Sequence, residues 1–372
     1  MRLTGLPFVL LVAAGAVGVA GVTALLWNRW PGWSAVPMRA LSLLAVLAAG
    51  GLLTATEANR IYSFYATFGE LFGRAPAARS GEGLQERGLP PGVEAAGRRA
   101  AARGQGLVIG WRFAPGSTGS ARRDGLVYLP AAYFDRSRPQ LRFPVLELFH
   151  GAPGGPPNWI KQMRVDRLLD AEIASGRLPP VIAVMPRYST KSGQSCVDTP
   201  GGLQDAAYLA RQVPVDVIRR LRALATPGSW ATLGFSTGGF CSVAVALHEP
   251  LRFGAAAAMS GYFTAVPVHV PNATPVRRRA VQEESSPDWL ISRGRGRHVA
   301  LYLLASAGDP SSVRDAERMR RIAGPHADLT TVVLPSGGHN FRVWSAATPP
   351  ALDWLAARLP APLAPPLLDL GA

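Results

Sequence analysis

Long apolar stretches without charge occupy the N-terminal part of the chain. Residues 5–27 carry no charge and are apolar apart from Thr23. Residues 40–56 form a second uncharged run, which begins just after Arg39. Because about 20 apolar residues cross the hydrocarbon core of a bilayer, this pattern predicts two transmembrane helices, at about 5–27 and 38–56.

Two other structures produce a similar apolar N-terminus. A cleaved signal peptide, in which Arg2 would supply the charged start, has an apolar core of only about 7–15 residues and is not followed at once by a second apolar run. A buried helical hairpin in a soluble domain is the other alternative. Trp30 and Trp33 lie between the two runs and favour the membrane interpretation, since tryptophan rings settle at the headgroup level.

Two spans place both ends of the chain on the same side of the membrane. The positive charges are nearly balanced, with Arg29 and Arg39 in the loop and Arg2 and Arg60 on the opposite side. Lysine and arginine favour the cytoplasmic side. We expect a plasma-membrane protein with a cytoplasmic loop and an extracytoplasmic remainder.

Between residues 106 and 358 the pattern changes to short β-rich runs that alternate with segments of helical spacing. The predicted strands are Leu107–Phe113, Gly125–Leu129, Val145–Phe149, Val181–Met185, Trp230–Leu233, Ala255–Met259, Val299–Ala305 and Leu329–Leu334. The predicted helices are Asp166–Ser175, Leu203–Leu224, Gly238–His248, Val313–Ile322 and Trp344–Arg358. This alternation predicts one α/β domain, a mostly parallel sheet with helices on both faces. In such a sheet the functional groups follow the carboxyl ends of the strands.

The segments on either side of this domain have a different composition. Residues 59–105 are predicted to be a juxtamembrane segment and a linker, because residues 73–106 are dense in Arg, Ala, Gly, Pro and Glu without a helical or alternating pattern. Residues 359–372 are predicted to be a tail, since closely spaced prolines exclude a helix there.

The charge balance is strongly positive, with 39 Lys and Arg against 24 Asp and Glu and a net charge of +15. Only Lys161 and Lys191 are lysines, so the excess is arginine. A GC-rich genome favours arginine codons and would by itself explain this excess. The alternative explanation is that the arginines bind anionic lipid or wall polymer. No nucleic-acid motif is present, so we expect no nucleic-acid partner. Two cysteines without paired spacing predict no metal site, and we expect no cofactor.

A specific motif stands between a predicted strand and a predicted helix. Gly234-Phe235-Ser236-Thr237-Gly238 follows the strand 230–233 and opens the helix 238–248. A G-x-S-x-G pattern in this context is a nucleophile elbow, which exposes the serine hydroxyl at a helix N-terminus. The sequence therefore predicts Ser236 as a nucleophile.

The chain order Ser…Asp/Glu…His predicts where the partners of Ser236 lie. His339 follows the last strand and precedes the last helix, a position that no other histidine shares; the others are His150, His248, His269, His298 and His326. Asp309 follows the strand 299–305 and is the predicted acid. Asp315 and Glu317 stay open as alternatives, because Gly-Asp-Pro is also a common turn sequence.

An acyl-transfer site also needs N–H donors that face the developing oxyanion. The residue after the nucleophile, Thr237, is the first predicted donor. The loop after the strand 145–149 begins His-Gly-Ala, and the Ala152 N–H is the predicted second donor, with Gly151 as the alternative. A plain Gly- and Pro-rich turn is the other interpretation of this loop.

Together, the His-Gly-x loop, the Gly-Phe-Ser-Thr-Gly elbow, Gly-Asp-Pro and Gly-Gly-His resemble the motifs of the α/β-hydrolase superfamily. Within it the chain resembles the esterase-D branch, which also contains the secreted mycolyltransferases. Residues 126–130, 179–186 and 259–262 add to this similarity. Residues 59–73 resemble the juxtamembrane stretch of membrane-anchored esterases from high-GC Gram-positive bacteria.

The resemblance implies a membrane-anchored serine esterase or acyltransferase with an α/β-hydrolase fold. Its substrate would be an ester of a small molecule, a lipid or the cell envelope. Ser236 would attack the ester carbonyl, His339 would transfer the proton, and Asp309 would orient the imidazole. Mycolyltransferases place their acid inside the following helix, which keeps Asp315 and Glu317 open. A serine peptidase and a non-catalytic protein on a hydrolase scaffold are the alternatives.

Cys196 and Cys241 lie in segments that follow neighbouring strands of the implied fold, next to the expected site. Loops after adjacent parallel strands converge, so a disulfide between the two is feasible, and two free buried thiols are the alternative. A disulfide would favour an extracytoplasmic domain, since disulfides persist outside the reducing cytosol.

Overall fold

The computed structural model describes residues 3, 5–29, 32–62, 68, 89, 91–113, 124–188, 195–264, 267, 268, 270–325 and 327–364. The chain divides into two compact units, Met1–Pro76 and Ala77–Ala372. Most of the predicted linker, the end of the predicted tail, Trp30, His269 and His326 lie outside the described residues.

The first unit contains two long apolar helices, α1 (Leu6–Leu26) and α2 (Ala35–Tyr62), with a 3₁₀ turn at Gly32–Ser34 between them. Both are long and apolar enough to cross a membrane by length and composition, properties that a signal sequence shares. The Arg39 guanidinium donates to the Trp27 carbonyl oxygen at 3.1 Å, so an arginine satisfies a backbone acceptor at the end of α1.

The second unit is built around one eight-stranded sheet. Its strands are β1 (Leu107–Arg112), β2 (Asp124–Leu129), β3 (Val145–Phe149), β4 (Ile182–Pro186), β5 (Trp230–Phe235), β6 (Phe253–Met259), β7 (Ala300–Ser306) and β8 (Leu329–Leu334). Their order is β1-β2-β4-β3-β5-β6-β7-β8. The β1–β2 and β2–β4 pairs are antiparallel and all others are parallel. The predicted mostly parallel α/β fold is confirmed.

Helices cover both faces of this sheet. In chain order they are α3 (Pro91–Ala101), α4 (Pro157–Lys161), α5 (Val165–Ala174), α6 (Asp205–Ala207), α7 (Val213–Arg220), α8 (Thr237–His248), α9 (Pro275–Glu284), α10 (Pro287–Ser292), α11 (Pro310–Ala323) and α12 (Phe341–Ala356). Buried side chains of α7, α8 and α11 belong to the core on one face. Those of α5 and α12 belong to the core on the other face. The central strands are therefore buried on both sides, as their near-continuous apolar runs require.

The prediction that residues 73–106 lack helical structure is wrong for α3. A Cβ on Gly97 would lie 2.1 Å from the Phe134 ring, and Ala100 is buried. The helix thus packs through glycine and alanine, which give no stripe of large apolar residues in the sequence. The tail also begins in contact with the domain, since Leu363 and Arg142 exchange two backbone hydrogen bonds of 2.9 Å.

Other helical regions also differ from the predicted pattern, and the short helices α4 and α10 were not predicted. The single helix predicted over residues 203–224 is divided into α6, a π-helical turn (Tyr208–Gln212) and α7. Helix α9 was not predicted, and none of its side chains is buried. A helix that buries no apolar face lacks the periodic signal on which the prediction depends.

Candidate active site

Ser236 lies in a strained turn between β5 and α8. Its backbone has φ 57° and ψ −124°, a region that non-glycine residues rarely occupy and that concentrates at functional sites. Helix α8 begins at the next residue, Thr237. The serine hydroxyl therefore lies beside the N-terminus of a helix, where the dipole favours negative charge.

The glycines of the motif are required by close backbone contacts. A Cβ on Gly234 would lie 1.9 Å from the Gly238 carbonyl oxygen. A Cβ on Gly238 would lie 2.1 Å from the Phe149 carbonyl oxygen, at the end of β3. No side chain fits at either position, so the pattern G-x-S-x-G follows from the packing of the turn.

The structure brings Ser236, His339 and Asp309 together in one hydrogen-bonded series. The His339 Nε2 lies 2.8 Å from the Ser236 Oγ, and the His339 Nδ1 lies 2.7 Å from the Asp309 Oδ2. The carboxyl side chain is only 6% exposed, whereas the imidazole is 40% exposed. The carboxylate is thus shielded from solvent while the imidazole stays accessible to a substrate.

Asp309 also caps α11, with a different oxygen. Its Oδ1 accepts from the Ser311 hydroxyl at 2.7 Å and from the Ser312 N–H at 3.5 Å. Burial alone would raise the pKa of this carboxyl, but the hydrogen bonds from His339 and the two serines hold it below its ordinary value. The carboxylate is therefore ionised at neutral pH.

The two alternative acids lie elsewhere. Burial raises the pKa of Asp315, and the neighbouring Asp288 raises it further. The Phe263 backbone donates to the same carboxyl. Glu317 is exposed. The described residues give the His339 imidazole a single carboxylate partner, Asp309.

An aromatic cluster that sequence analysis missed supports the serine and the histidine. Phe235 stacks on Trp344 with ring centroids 4.7 Å apart. The rings of Trp159 and Phe341 contact the Phe235 ring edge-on. Trp344 also contacts the His339 ring, at 5.0 Å and 88°. A detectable signal was the position of Phe341 and Trp344 in the first turn of the helix that follows His339.

The two segments that carry the predicted oxyanion donors approach Ser236. Thr237 is the first residue of α8, and its N–H therefore has no acceptor within the helix. On the other side, a Cβ on Gly151 would lie 3.0 Å from the Phe235 ring and 3.3 Å from the Ser236 Cβ. Ala152 follows directly in this loop. The Thr237 hydroxyl is hydrogen-bonded to the Tyr262 hydroxyl.

A disulfide joins Cys196 to Cys241, with their Cα atoms 5.4 Å apart. Cys241 lies on α8 and Cys196 in the segment after β4, and both are fully buried. The bond ties the helix that begins after Ser236 to the segment that follows β4. The prediction that the two cysteines follow neighbouring strands is wrong, because β3 lies between β4 and β5. Among the described residues, no group of three or more His, Cys, Asp or Glu could hold a metal ion.

The chain is similar to esterases in its sequence. The family model described as "Putative esterase" matches residues 117–354. An uncharacterized protein of Corynebacterium glutamicum is 28% identical over 255 residues, which cover 65% of this chain and 59% of that protein. The chain therefore spans about three fifths of the length of this relative.

Solved structures share its fold. A ferulic acid esterase matches with a TM-score of 0.58 and 22% identity over 68% of this chain and 98% of its own. A fluorophosphonate-binding serine hydrolase of Staphylococcus aureus has a TM-score of 0.55 and 17% identity, covering 68% and 99%. An S-formylglutathione hydrolase from Agrobacterium tumefaciens has a TM-score of 0.54 and 18% identity, covering 69% and 96%.

At these identities the solved structures support the α/β-hydrolase fold alone. The family match covers well over half of the sequence and includes the elbow serine, the acid and the histidine. The chain therefore belongs to the esterase family, on the esterase-D-like branch of the α/β-hydrolases.

Proposed function

We propose that this protein is a membrane-anchored serine hydrolase of carboxylic esters that works through an acyl intermediate on Ser236. The observation that supports this proposal is the hydrogen-bonded series of Ser236, His339 and Asp309, with distances of 2.8 and 2.7 Å. Membership of the esterase family supports the reaction class.

In the first half of the reaction, the Ser236 oxygen attacks the ester carbonyl while the His339 Nε2 accepts the hydroxyl proton. The tetrahedral intermediate then expels the alcohol, which receives that proton from His339 as the ester C–O bond breaks. Asp309, ionised at neutral pH, accepts a hydrogen bond from the Nδ1–H. It thereby fixes the imidazole tautomer and stabilises the imidazolium.

The negative charge of the intermediate needs donors, and we assign them to the Thr237 N–H and to the loop after β3, where the Ala152 N–H and the Gly151 N–H are the candidates. Loss of one such donor typically costs about 10²–10³-fold in rate. The position of Thr237 at the start of α8 and the approach of the Gly151 loop to Ser236 support this assignment.

In the second half, a nucleophile deprotonated by His339 attacks the acyl carbon, the bond between that carbon and the Ser236 oxygen breaks, and His339 returns the proton to the Ser236 oxygen. Water yields a free acid, and an alcohol yields a new ester by acyl transfer. Esters of small molecules, lipids or the cell envelope are the proposed substrates. The exposed His339 imidazole supports access by either nucleophile.

We further propose that α1 and α2 span the plasma membrane and that the second unit lies outside the cytoplasm. The length and apolar composition of the two helices support the anchor. The Cys196–Cys241 disulfide supports an oxidising compartment, because cytosolic thiols are kept reduced.

The proposed domains are the membrane helices at 1–58, a connecting segment at 59–105, which includes α3, the catalytic domain at 106–358 and a tail at 359–372.

Hydrolysis of p-nitrophenyl esters, from acetate to decanoate, tests the proposed reaction. We would compare the full-length protein in detergent with its Ser236→Ala variant. Activity that disappears in the variant is the expected result, and its dependence on chain length would size the acyl pocket. Activity that persists in Ser236→Ala contradicts the serine mechanism. Faster cleavage of p-nitroanilides than of esters would favour a peptidase.

A further inference from the structure

His150 and Tyr188 form a buried stacked pair next to the elbow. Their ring centroids are 4.2 Å apart and the ring planes differ by 12°. His150 is fully buried and Tyr188 is 4% exposed. The two residues follow the carboxyl ends of neighbouring strands, β3 and β4, and neither takes part in the proton transfers of the esterase reaction.

Both side chains hydrogen-bond to the backbone of the loop that follows β3 and begins His150-Gly151-Ala152, which we call the oxyanion loop. The His150 Nδ1 lies 2.9 Å from the Gly151 carbonyl oxygen. A carbonyl oxygen only accepts, so Nδ1 carries the proton. The Tyr188 hydroxyl donates to the carbonyl oxygen of His150. Among the described residues, the His150 Nε2 is buried without a hydrogen-bond partner, so its polar interaction is the one with the loop.

These two hydrogen bonds fix the orientation of two peptide groups. In a planar trans peptide the C=O of one residue and the N–H of the next point in opposite directions. Holding the His150 carbonyl therefore sets the direction of the Gly151 N–H. Holding the Gly151 carbonyl sets the direction of the Ala152 N–H. These are the two N–H groups that the loop offers to an oxyanion.

The loop lies close enough to the nucleophile for this orientation to matter. A Cβ added to Gly151 would lie only 3.3 Å from the Ser236 Cβ. The pair is also enclosed by the core: both side chains are buried, and Phe149 contacts the Tyr188 ring edge-on at 5.9 Å. A rigid support for donors lowers the cost of reorganisation when charge develops.

We infer that Tyr188 and His150 are positioning residues for the oxyanion hole: Tyr188 orients the Gly151 N–H and His150 orients the Ala152 N–H. The inference rests on the proposed function. It assigns a role in the esterase reaction to two residues that act through the loop backbone.

Tyr188→Phe tests the inference, because it keeps the ring stack and removes only the hydroxyl. We expect kcat for p-nitrophenyl butyrate to fall about 10-fold with KM unchanged, less than the about 10²–10³-fold loss on deleting a donor. The affinity for a trifluoromethyl ketone, which forms an oxyanion adduct with the serine, should fall by the same factor, because both report transition-state binding.

Tyr128→Phe is the matched control. Tyr128 is also buried, and its hydroxyl donates to Asp170 at 2.7 Å. This variant loses a comparable hydrogen bond, so it should change the melting temperature as Tyr188→Phe does and leave kcat and ketone affinity unchanged. A second variant, His150→Phe, keeps an aromatic ring and removes the Nδ1 donor; it should behave as Tyr188→Phe does.

The outcomes separate this inference from the function on which it rests. If the wild type is active and Tyr188→Phe and His150→Phe match Tyr128→Phe in kcat and ketone affinity, the inference is wrong and the proposed function stands. If kcat and ketone affinity fall together at constant KM, the inference holds. A folded wild type that neither cleaves esters nor binds the ketone contradicts the proposed function, and the inference with it.

Discussion

At the scale of single residues, Asp309 serves two purposes with its two oxygens. Oδ1 accepts from the first turn of α11 and Oδ2 accepts from His339. A helix cap and a catalytic acid are usually alternative explanations of an aspartate, and in the proposed mechanism the same carboxylate serves as both. The cap fixes the carboxylate in the orientation that the imidazole needs.

Because the two oxygens have different partners, we expect Asp309→Asn to lower activity without a matching loss of stability. Asparagine caps helices about as well as aspartate, so the melting temperature should stay near that of the wild type. The amide cannot hold the imidazole in the required tautomer, and we expect kcat to fall about 10⁴-fold. Ester hydrolysis and thermal unfolding measure the two effects.

Three further variants serve as controls. Asp309→Ala removes the cap as well and should lose about 1 kcal/mol of stability. Asp315→Asn and Glu317→Gln should keep wild-type kcat, because neither carboxylate faces His339. A loss of kcat in either variant as large as in Asp309→Asn would contradict the assignment of the acid.

His150 predicts a pH dependence of stability. Its burial lowers its pKa to about 4, the charge of Arg187 adds to this effect, and the hydrogen bond to Gly151 opposes it. An exposed histidine in the unfolded chain has a pKa of about 6.5. The unfolded chain therefore binds a proton first as the pH falls, and the fold loses stability between about pH 6.5 and pH 4.

We expect His150 to contribute up to about 3 kcal/mol to this loss. Burial lowers the pKa of His248 too, so the wild type must be compared with His150→Phe. Denaturant unfolding at pH 7 and pH 4.5 should show a smaller loss in the variant. An equal loss in both proteins would show that His150 does not titrate in this range.

At the scale of elements, the crossing of β5, α8 and β3 depends on contact between backbones. Gly238→Ala would place a Cβ 2.1 Å from the Phe149 carbonyl oxygen. Backbone atoms cannot move aside as a flexible side chain can, so we expect a stability loss of about 3 kcal/mol or more and a hydrolysis rate near background. Gly92→Ala is the control, because nothing lies within 4 Å of a Cβ there.

The elements that the sequence predicts well are those with a one-sided or fully buried apolar run. All eight strands of the sheet fall within a few residues of the predicted segments. Helices α3 and α9 were missed because the first packs through small residues and the second buries no side chain. Close packing on Phe134, which local periodicity does not record, holds α3 in place.

At the scale of the whole molecule, the proposed topology puts the loop between α1 and α2 and the second unit on opposite sides of the membrane. Trp33 is 91% exposed in that loop and Val276 is 80% exposed on α9. In intact cells, Val276→Cys should react with a membrane-impermeant maleimide, whereas Trp33→Cys should react only after permeabilisation. The native cysteines are paired and buried, so they give no background.

The reverse labelling pattern would place the second unit in the cytoplasm. Equal labelling of both cysteines before permeabilisation would contradict the two-span anchor. In either case the esterase proposal would stand, because it rests on Ser236, His339 and Asp309 and not on the position of the membrane.

The G-x-S-x-G motif between a strand and a helix predicted Ser236, and chain order together with the position after the last strand predicted His339. The choice of acid stayed open, because Asp309, Asp315 and Glu317 are close in sequence and only their orientation differs. Tyr188 was not found, although its position just after β4 was a signal. Its partner His150 lies 38 residues away, and no local pattern records such a contact.

The disulfide between α8 and the segment after β4 also bears on how the chain matures. In a newly made chain in a reducing cytosol both thiols are free, so α8 is not yet joined to that segment. Under the proposed topology, the bond would form only once the second unit reaches an oxidising compartment. Export would then complete the disulfide that joins α8 to the segment after β4. Recombinant protein recovered from a reducing host would have to be oxidised before it contains this disulfide.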